Sequence, residues 1–299
     1  MVATLSKDEI LIGENWPKYR EDPVGFFTGP LGLRPEWVWP KMVDVLESLR
    51  DNQFTAVHAC HSVSKTFLAG RAVVWFKSCF QPSTVVTTAP SDNLVRNQLW
   101  REIHAGYAAA GGEKILGGSM TSLQWDLKPS RQILAQLKPY EAEQWEKNFA
   151  IGFSTTPDQA ADHATKMHGF HNEWVLVVLD EACGLLPQIW RTVMDSLVTN
   201  ERVKVLAIGN PTDPDGTFAQ VCQPGSGWNV INIKVQDTPN YQEDREIIPS
   251  VAGRDYEQRM RETYGEDSNT YRVRVLGEFP YFREGVFYGH ETQLMKQKG

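Results

Sequence analysis

Short apolar runs alternate with polar or amphipathic segments along most of the chain, and this pattern predicts strands alternating with helices. Two runs, WVLVVLD from Trp174 and VKVLAIG from Val203, are almost wholly apolar, which is typical of parallel strands covered on both faces. Three more runs have the length of strands and begin at Phe54, Ser83 and Phe149. The sequence therefore predicts an α/β domain with a doubly wound, mostly parallel sheet.

Changes in composition divide the chain into four predicted regions. Residues 1–50 are rich in Trp and Pro and end in a predicted helix over 41–50, so we expect an arm and a helix that pack on the core. Residues 51–235 hold the alternating strands and helices of that core. Residues 236–281 are charged and rich in Tyr and Arg, which predicts a small helical subdomain, and residues 282–299 are expected to form a tail.

Composition and charge exclude several classes of protein. The chain has 299 residues, of which 41% are hydrophobic, so it can bury a core and is neither disordered nor fibrous. There are 30 Lys and Arg against 37 Asp and Glu, and the net charge of −7 excludes a uniformly basic nucleic-acid binder. We expect no membrane span and no signal peptide. Four cysteines without CxxC spacing indicate a reduced, cytoplasmic protein.

A polar loop between the first predicted strand and the helix after it has the setting of a phosphate-binding loop. Its backbone N–H groups would cradle phosphates, Lys65 would reach the β and γ oxygens, and the Thr66 hydroxyl would bind Mg²⁺. The motif G-x-x-x-x-G-K-[ST] is incomplete, because Ala59 and Ser64 stand where it has glycines. The alternative is a polar connection whose lysine points into solvent. The predicted nucleotide-binding residues are Ala59, Cys60, His61, Ser62, Val63, Ser64, Lys65 and Thr66.

Polar residues also follow the two most apolar strands, at the edge of the sheet where α/β domains bind their ligands. Asp180 would hold Mg²⁺ through water, and Glu181 would orient and deprotonate an attacking water. The alternative is that Asp180 only caps the next helix. After the following strand, Asn210 or Thr212 in the segment GNPT would hydrogen-bond a γ-phosphate and report its loss. In isolation, GNPT predicts no more than a turn.

In their order and spacing, these motifs resemble the ATPase domain of terminase large subunits, the motors that package DNA in tailed bacteriophages. The likeness covers about residues 16–280, most of the chain. The segments that carry it are Trp16-x-x-Tyr19-Arg20-x-Asp22-Pro23, His61-x-x-Ser64-Lys65-Thr66, Thr87-Thr88-Ala89-Pro90, Leu99-Trp100-Arg101-Glu102-Ile103, Gly169-Phe170-His171, Asp180-Glu181-Ala182, Gly209-Asn210-Pro211-Thr212 and Leu276-Gly277-Glu278-Phe279-Pro280.

The resemblance implies a RecA-like fold of the ASCE P-loop class and Mg²⁺-dependent hydrolysis of ATP. Lys65 and Glu181 would act in catalysis, Thr66 and Asp180 would hold the Mg²⁺, and the GNPT segment would couple hydrolysis to movement. The resemblance also implies partners, namely double-stranded DNA, a portal protein and a small terminase subunit. The active form would be a homo-oligomer in the host cytoplasm.

Three further features differ from the family pattern. Lys41 follows the Trp-Pro segment where the family has a Gln that binds adenine, and a lysine offers donors only. The stretch 166–171, before the acidic strand, has no Arg to act on a neighbour's nucleotide. The remaining candidates for such an arginine finger are Arg96, Arg101 and Arg202. The residues after Pro280 are too few for the nuclease of the family, so we expect no nuclease activity.

Other functions remain open at this point. The basic residues that offer a local DNA patch are Arg254, Arg259, Arg261, Arg272 and Arg274. Acidic residues are interleaved with them, so the alternative is a charged, solvated helix face. A helicase-like ATPase is the second candidate among enzymes. The third candidate is a nucleotide-binding or assembly module that has lost hydrolysis, with Ala59 and Ser64 as the marks of that loss.

Overall fold

The structure is a computed structural model, and it describes residues 16–155 and 169–281. Its centre is an eight-stranded sheet. The strands are β1 (Phe54–Ala59), β2 (Ser83–Ala89), β3 (Ser119–Met120), β4 (Gln124–Asp126), β5 (Phe149–Ser154), β6 (Trp174–Asp180), β7 (Val203–Gly209) and β8 (Asn229–Ile233). The first 15 residues of the predicted arm and the predicted tail at 282–299 lie outside the described residues.

The order of the strands across the sheet is β3-β4-β5-β2-β6-β7-β1-β8. The six strands from β5 to β8 in this order are parallel, and β3 and β4 add an antiparallel edge. The predicted α/β class with a mostly parallel sheet is therefore confirmed. Since β7 lies between β1 and β6, the segments that follow these three strands emerge side by side at the carboxyl edge.

Alternate residues of the central strands enter two separate hydrophobic cores. In β6, Leu176 and Val178 pack into the core that also contains Trp75 of the helix after β1. Val177 and Leu179 face the other way, into the core built around Trp190. Both faces of the sheet are covered, which explains why these strands are almost continuously apolar.

Helices cover the sheet on both sides. The α-helices are α1 (Pro23–Thr28), α2 (Pro40–Asp51), α3 (Lys65–Cys79), α4 (Asp92–Leu94), α5 (Trp100–Ala109), α6 (Arg131–Leu134), α7 (Pro139–Glu146), α8 (Pro187–Thr192), α9 (Thr217–Val221), α10 (Pro239–Gln242), α11 (Arg254–Tyr264) and α12 (Asn269–Arg274). The 3₁₀ turns are Pro17–Arg20, Pro35–Trp37, Gly112–Lys114, Ala182–Gly184 and Val235–Asp237, and the π-helical segments are Val95–Leu99 and Val193–Leu197.

The five strands and the helix over 41–50 predicted from the sequence are present, with the apolar face of α2 buried as predicted. Strands β3, β4 and β8 were not predicted, because they are short and carry no apolar run. Helices α10, α11 and α12 lie within the predicted helical subdomain at 236–281. Among the described residues, no helix is long and apolar enough to cross a membrane.

Candidate functional site

Residues from three strand ends meet at the carboxyl edge of the sheet. The Thr66 hydroxyl, in the first turn of α3, lies 3.3 Å from Asp180 Oδ2 at the end of β6 and donates to it. The Asn210 side chain, just after β7, donates from Nδ2 to the Ala59 carbonyl at 2.7 Å. The structure thus places the predicted phosphate loop (residues 59–66), the acidic pair and the GNPT segment in one site.

The backbone of the phosphate loop is bent as a glycine-containing loop would be, although it contains no glycine. Ser64, at the position of the second missing glycine, has φ +61°, and Ser62 has φ +56°. Both values lie in the left-handed region, which costs a residue with a Cβ about 1–2 kcal/mol. Among the described residues, the N–H groups of Ser62, Val63 and Ser64 donate to no other backbone group. They are therefore available to a bound anion.

The C-terminal subdomain holds the phosphate loop in this conformation. His61 N donates to the Arg274 carbonyl at 3.2 Å, and Ala252 N donates to the Ser62 carbonyl at 2.8 Å. Gly277, with φ +59°, packs so closely that a Cβ there would lie 2.7 Å from Cys60 N. Sequence reasoning missed Ala252 and the carbonyl of Arg274, because neither belongs to a motif.

Lys65 begins α3 and is buried, with its side chain directed back over the loop. Its Nζ donates to the Cys60 carbonyl at 3.2 Å. Burial lowers the pKa of Lys65, and the charges of Glu181 and Asp180 oppose that shift. The predicted alternative, a lysine that points into solvent, is therefore excluded. A buried ammonium near two carboxylates is suited to receive phosphate oxygens.

The side chain of Asp180 is almost completely buried, and its two carboxylate oxygens differ in their hydrogen bonds. Its Oδ2 accepts from Thr66, whereas its Oδ1 is buried and has no hydrogen-bond partner among residues 16–155 and 169–281. Burial and the neighbouring charge of Glu181 raise the pKa of Asp180 to about 7. A carboxylate and a hydroxyl are ligands that Mg²⁺ accepts, and an unpartnered buried oxygen beside them fits a site for such an ion.

Glu181 stands in a strained turn directly after β6. Its φ is +47°, in the left-handed region, and it precedes the 3₁₀ turn Ala182–Gly184. The end of β7 approaches this turn so closely that a Cβ on Gly209 would lie 2.9 Å from Ala182 N. Strain of this kind persists only where the surroundings enforce it, and it is common at functional sites. Gly209 thus fixes the turn that presents Glu181.

A sulfur atom links the GNPT segment to the turn that carries Glu181. Thr212 Oγ1 lies 3.2 Å from Cys183 Sγ, and Asp213 N donates to the same sulfur at 3.1 Å. Thr212 is exposed, whereas Asn210 is engaged with the phosphate loop. Of the two predicted sensors, Asn210 therefore supports the loop and Thr212 contacts the acidic turn.

The residues considered for adenine binding and for an arginine finger have described contacts with residues outside this centre. Lys41 pairs with Asp44 at 3.2 Å and lines a cavity of about 520 Å³ beside β8. Arg96 binds Asp92 at 3.3 Å, and Arg202 binds Glu173 at 2.8 Å at the opposite, amino edge of the sheet. Arg101, on α5, is the most exposed of the three arginine candidates.

The arginines proposed for a local DNA patch are mostly engaged with side chains of their own subdomain. Arg254 pairs with Asp244 at 3.5 Å, Arg261 with Glu257 at 2.6 Å and Arg272 with Glu278 at 3.0 Å. Arg259 and Arg274 form no such ion pair with the described residues. The structure therefore favours the alternative of a solvated helix face for the three paired arginines.

The chain resembles known proteins in sequence and in fold. No family model matches the chain. Over 278 residues, 91% of the chain, it is 20% identical to a probable terminase large subunit of Enterobacteria phage P7. The chain spans about half the length of that relative, 51%.

Two solved structures have a similar fold. The large terminase ATPase domain of Thermus phage P74-26 aligns with a TM-score of 0.59 and 13% identity, over 85% of this chain and 97% of that one. The large terminase of a thermophilic bacteriophage, in complex with ADP, aligns with a TM-score of 0.56 and 10% identity, over 81% of this chain and 54% of that one. The predicted resemblance to terminase ATPase domains is thus confirmed.

Proposed function

We propose that this chain is the ATPase domain of a terminase large subunit, and that it hydrolyses ATP with Mg²⁺ to move double-stranded DNA into a viral procapsid. The observation that carries the proposal is the pair of incompletely satisfied groups at the carboxyl edge. Within the part of the chain that the structure describes, the buried Lys65 has one oxygen partner, and the buried Oδ1 of nearby Asp180 has none. A Mg²⁺–triphosphate would supply the missing partners for both. Support also comes from the relatives, one of which is a terminase in complex with ADP.

Different residues of the site would bind the phosphates, hold the metal ion and activate the water. The loop N–H groups and Lys65 would bind the β- and γ-phosphate oxygens, while Thr66 and Asp180 would hold the ion. Bound Mg²⁺ would neutralise charge on the phosphates. Glu181 would orient a water molecule and accept its proton as the oxygen attacks the γ-phosphorus, so that ATP and water give ADP and phosphate.

The packaging role and the partners follow from the same proposal. A motor that translocates DNA needs more than one grip on it, so the active form would be a homo-oligomer docked on a portal protein, with DNA delivered by a small terminase subunit. It would act in the host cytoplasm. Arg101, exposed on α5, is the best placed of the three predicted arginines to reach a neighbouring copy.

Phosphate release from Mg²⁺–ATP, with and without linear double-stranded DNA, tests the proposal. We expect Glu181→Gln to bind ATP normally and to lose turnover by at least about a hundredfold. Lys65→Ala should lose both binding and turnover. Glu201→Gln, an exposed glutamate at the amino edge of the sheet, is the matched control and should behave as wild type.

The outcomes separate the candidate functions. Turnover stimulated by double-stranded DNA supports the packaging motor, whereas stimulation by single-stranded DNA alone would favour the helicase-like ATPase. If the wild-type protein binds no nucleotide at millimolar concentration, the substitutions at Ala59 and Ser64 are decisive. The assembly module would then be the better description.

A further inference from the structure

Arg274, the last residue of α12, is an exposed cation without a carboxylate partner among the described residues. Its Cζ lies 5.9 Å from the centroid of the Tyr264 ring, which is a weak contact. Arg272, on the same helix, is by contrast held by Glu278 at 3.0 Å and by the Phe279 carbonyl at 2.6 Å. Arg272 thus holds the subdomain together, and the guanidinium of Arg274 does not.

The backbone of Arg274 is nevertheless fixed to the phosphate loop. Its carbonyl accepts a hydrogen bond from His61 N at 3.2 Å. The pKa of His61 is lowered to about 4, chiefly by burial and then by the charges of Lys65 and Arg274. Two cations therefore act on His61, Lys65 from within the loop and Arg274 from the subdomain.

A cavity of about 320 Å³ lies between Arg274 and the GNPT segment and borders the phosphate loop at His61. Its lining includes His61 from the loop, Thr212 from the GNPT segment, and Asn269, Thr270 and Arg274 from α12. The groups that face a ligand here include the His61 imidazole, the Thr270 hydroxyl and the Arg274 guanidinium. A surface of donors beside a phosphate loop is suited to an anionic group that extends beyond the loop.

We propose that Arg274 is a second phosphate-binding cation of this site, acting within the same chain on the terminal phosphate of a bound nucleoside triphosphate. This inference rests on the proposed function, since it assigns a residue to that nucleotide. A guanidinium stays charged at any physiological pH and presents a planar fork of donors that matches two phosphate oxygens. It would stabilise the charge on the γ-phosphoryl group while that group is transferred to water.

The position of Arg274 also gives the subdomain a means to detect hydrolysis. The guanidinium is carried by α12, whereas Lys65 belongs to α3 beneath the sheet edge. After phosphate release, Arg274 would lose its anionic partner, while the hydrogen bonds at His61 and Ser62 and the packing of Gly277 on Cys60 would still hold the subdomain to the loop. The affinity difference between ATP and ADP therefore resides partly in Arg274.

Binding of a non-hydrolysable ATP analogue and of ADP, measured by calorimetry with Mg²⁺, tests this assignment. In Arg274→Ala we expect affinity for the analogue to fall by about tenfold or more, because a charge-assisted contact is lost, while affinity for ADP stays within twofold. The kcat for ATP should fall by about a hundredfold, with part of it recovered in Arg274→Lys. Arg272→Ala removes an equal charge from the same helix and should leave the ratio of the two affinities unchanged.

Three outcomes of these measurements would contradict the role of Arg274. If the wild-type protein hydrolyses ATP and Arg274→Ala keeps both the affinity ratio and kcat within twofold, Arg274 does not contact the phosphate, and the proposed function stands without it. If Arg272→Ala changes the ratio as much as Arg274→Ala, the effect belongs to the subdomain as a whole. If the wild-type protein binds neither nucleotide, the proposed function fails and this inference with it.

Discussion

Helix α3 carries a buried lysine near each end, and the two are satisfied in opposite ways. Near its C-terminus, Lys77 donates from Nζ to the Ser83 carbonyl at 3.0 Å, to Ser83 Oγ at 3.4 Å and to Asn148 Oδ1. At its N-terminus, Lys65 has one oxygen partner in the described ranges, the Cys60 carbonyl. Burial lowers the pKa of both, yet only Lys65 has two carboxylates among the charges that oppose the shift.

The difference shows which end of the helix is built for a ligand. An ammonium group has three donors, and leaving them unused in a buried place costs free energy. At Lys77 neutral oxygens of the chain meet this need. At Lys65, donors remain without a partner among the described residues, and the neighbouring Asp180 Oδ1 has no described hydrogen-bond donor. Polar groups left without partners in the folded chain therefore mark the end where a nucleotide would complete the structure.

The largest expected effect is on ATP turnover when Lys65 is replaced, with a much smaller effect on the free energy of unfolding. Lys65→Met should abolish ATP turnover, by about a hundredfold or more, because the group that faces the phosphates is removed. It should lower the free energy of unfolding without nucleotide by less than Lys77→Met does, since the removal of a desolvated charge offsets the loss of one hydrogen bond to the Cys60 carbonyl. Phosphate release and urea denaturation measure the two. A variant destabilised as much as Lys77→Met would show that Lys65 holds the fold as Lys77 does.

The opposite outcome is expected at the other end of the helix. Lys77→Met should lower the free energy of unfolding by about 1–3 kcal/mol, because the Ser83 carbonyl and the Asn148 side chain lose a buried donor. Turnover per folded molecule should stay within twofold of wild type.

A matched control for Lys77 is Lys204, half-buried at the start of β7. Its Nζ donates to the carbonyls of Arg50 and Asn52 at 2.9 and 3.0 Å. Lys204→Met should cost less than Lys77→Met, because water can reach the carbonyls it leaves. Equal losses in urea denaturation would contradict the assignment of Lys77 to a fully buried network.

The sequence could predict Lys65 but not the burial of Lys77, and the reason is physical. Lys65 follows an apolar strand in a short motif, so its role depends on residues next to it in the chain. The partner of Lys77 at Asn148 is 71 residues away, at the end of a region with no clear period. The same holds for Ala252 and Arg274, whose contacts with the phosphate loop depend on how the subdomain folds back.

Some strands of the fold can be predicted from their own residues, whereas others depend on residues far away in the chain. Strands β6 and β7 are apolar because both faces are buried, and this pattern predicts them from their own residues. Strand β8 pairs with β1 through five residues, Asn229–Ile233, at the edge of the sheet, and two asparagines stand among its apolar side chains. A pattern so short predicts neither the strand nor its partner.

A smaller effect is expected from the backbone at the Lys65 end, where Ser64 has φ +61° and the C-terminal end of α3 has no such residue. Ser64→Gly should raise the free energy of unfolding by up to about 1 kcal/mol, because glycine adopts this conformation without strain but loses more entropy on folding. Ser64→Ala, which keeps the Cβ, should show no gain. Urea denaturation without nucleotide measures both, and a glycine variant less stable than wild type would place the strain elsewhere.

The smallest expected effect concerns His58, a partly buried base near the end of β1. Like Lys77, it has a hydrogen-bond partner within the folded chain. Its Nδ1 donates to the Gly277 carbonyl at 2.6 Å. Burial lowers the pKa of His58 below its ordinary value of 6.5, with the Gly277 hydrogen bond opposing the shift. As the pH falls through 6.5, the unfolded chain therefore binds a proton at this residue more readily than the folded protein does, so the contribution of His58 to stability falls as the pH drops.

His58→Asn removes this proton while keeping an N–H group that can reach the Gly277 carbonyl. Between pH 7.5 and pH 5.5, the free energy of unfolding of the wild-type protein should fall by up to about 1 kcal/mol more than that of the variant, since one proton contributes at most about 1.4 kcal/mol per pH unit below 6.5. Urea denaturation at both pH values measures the difference. Parallel pH profiles would mean that His58 binds its proton equally well in the folded protein.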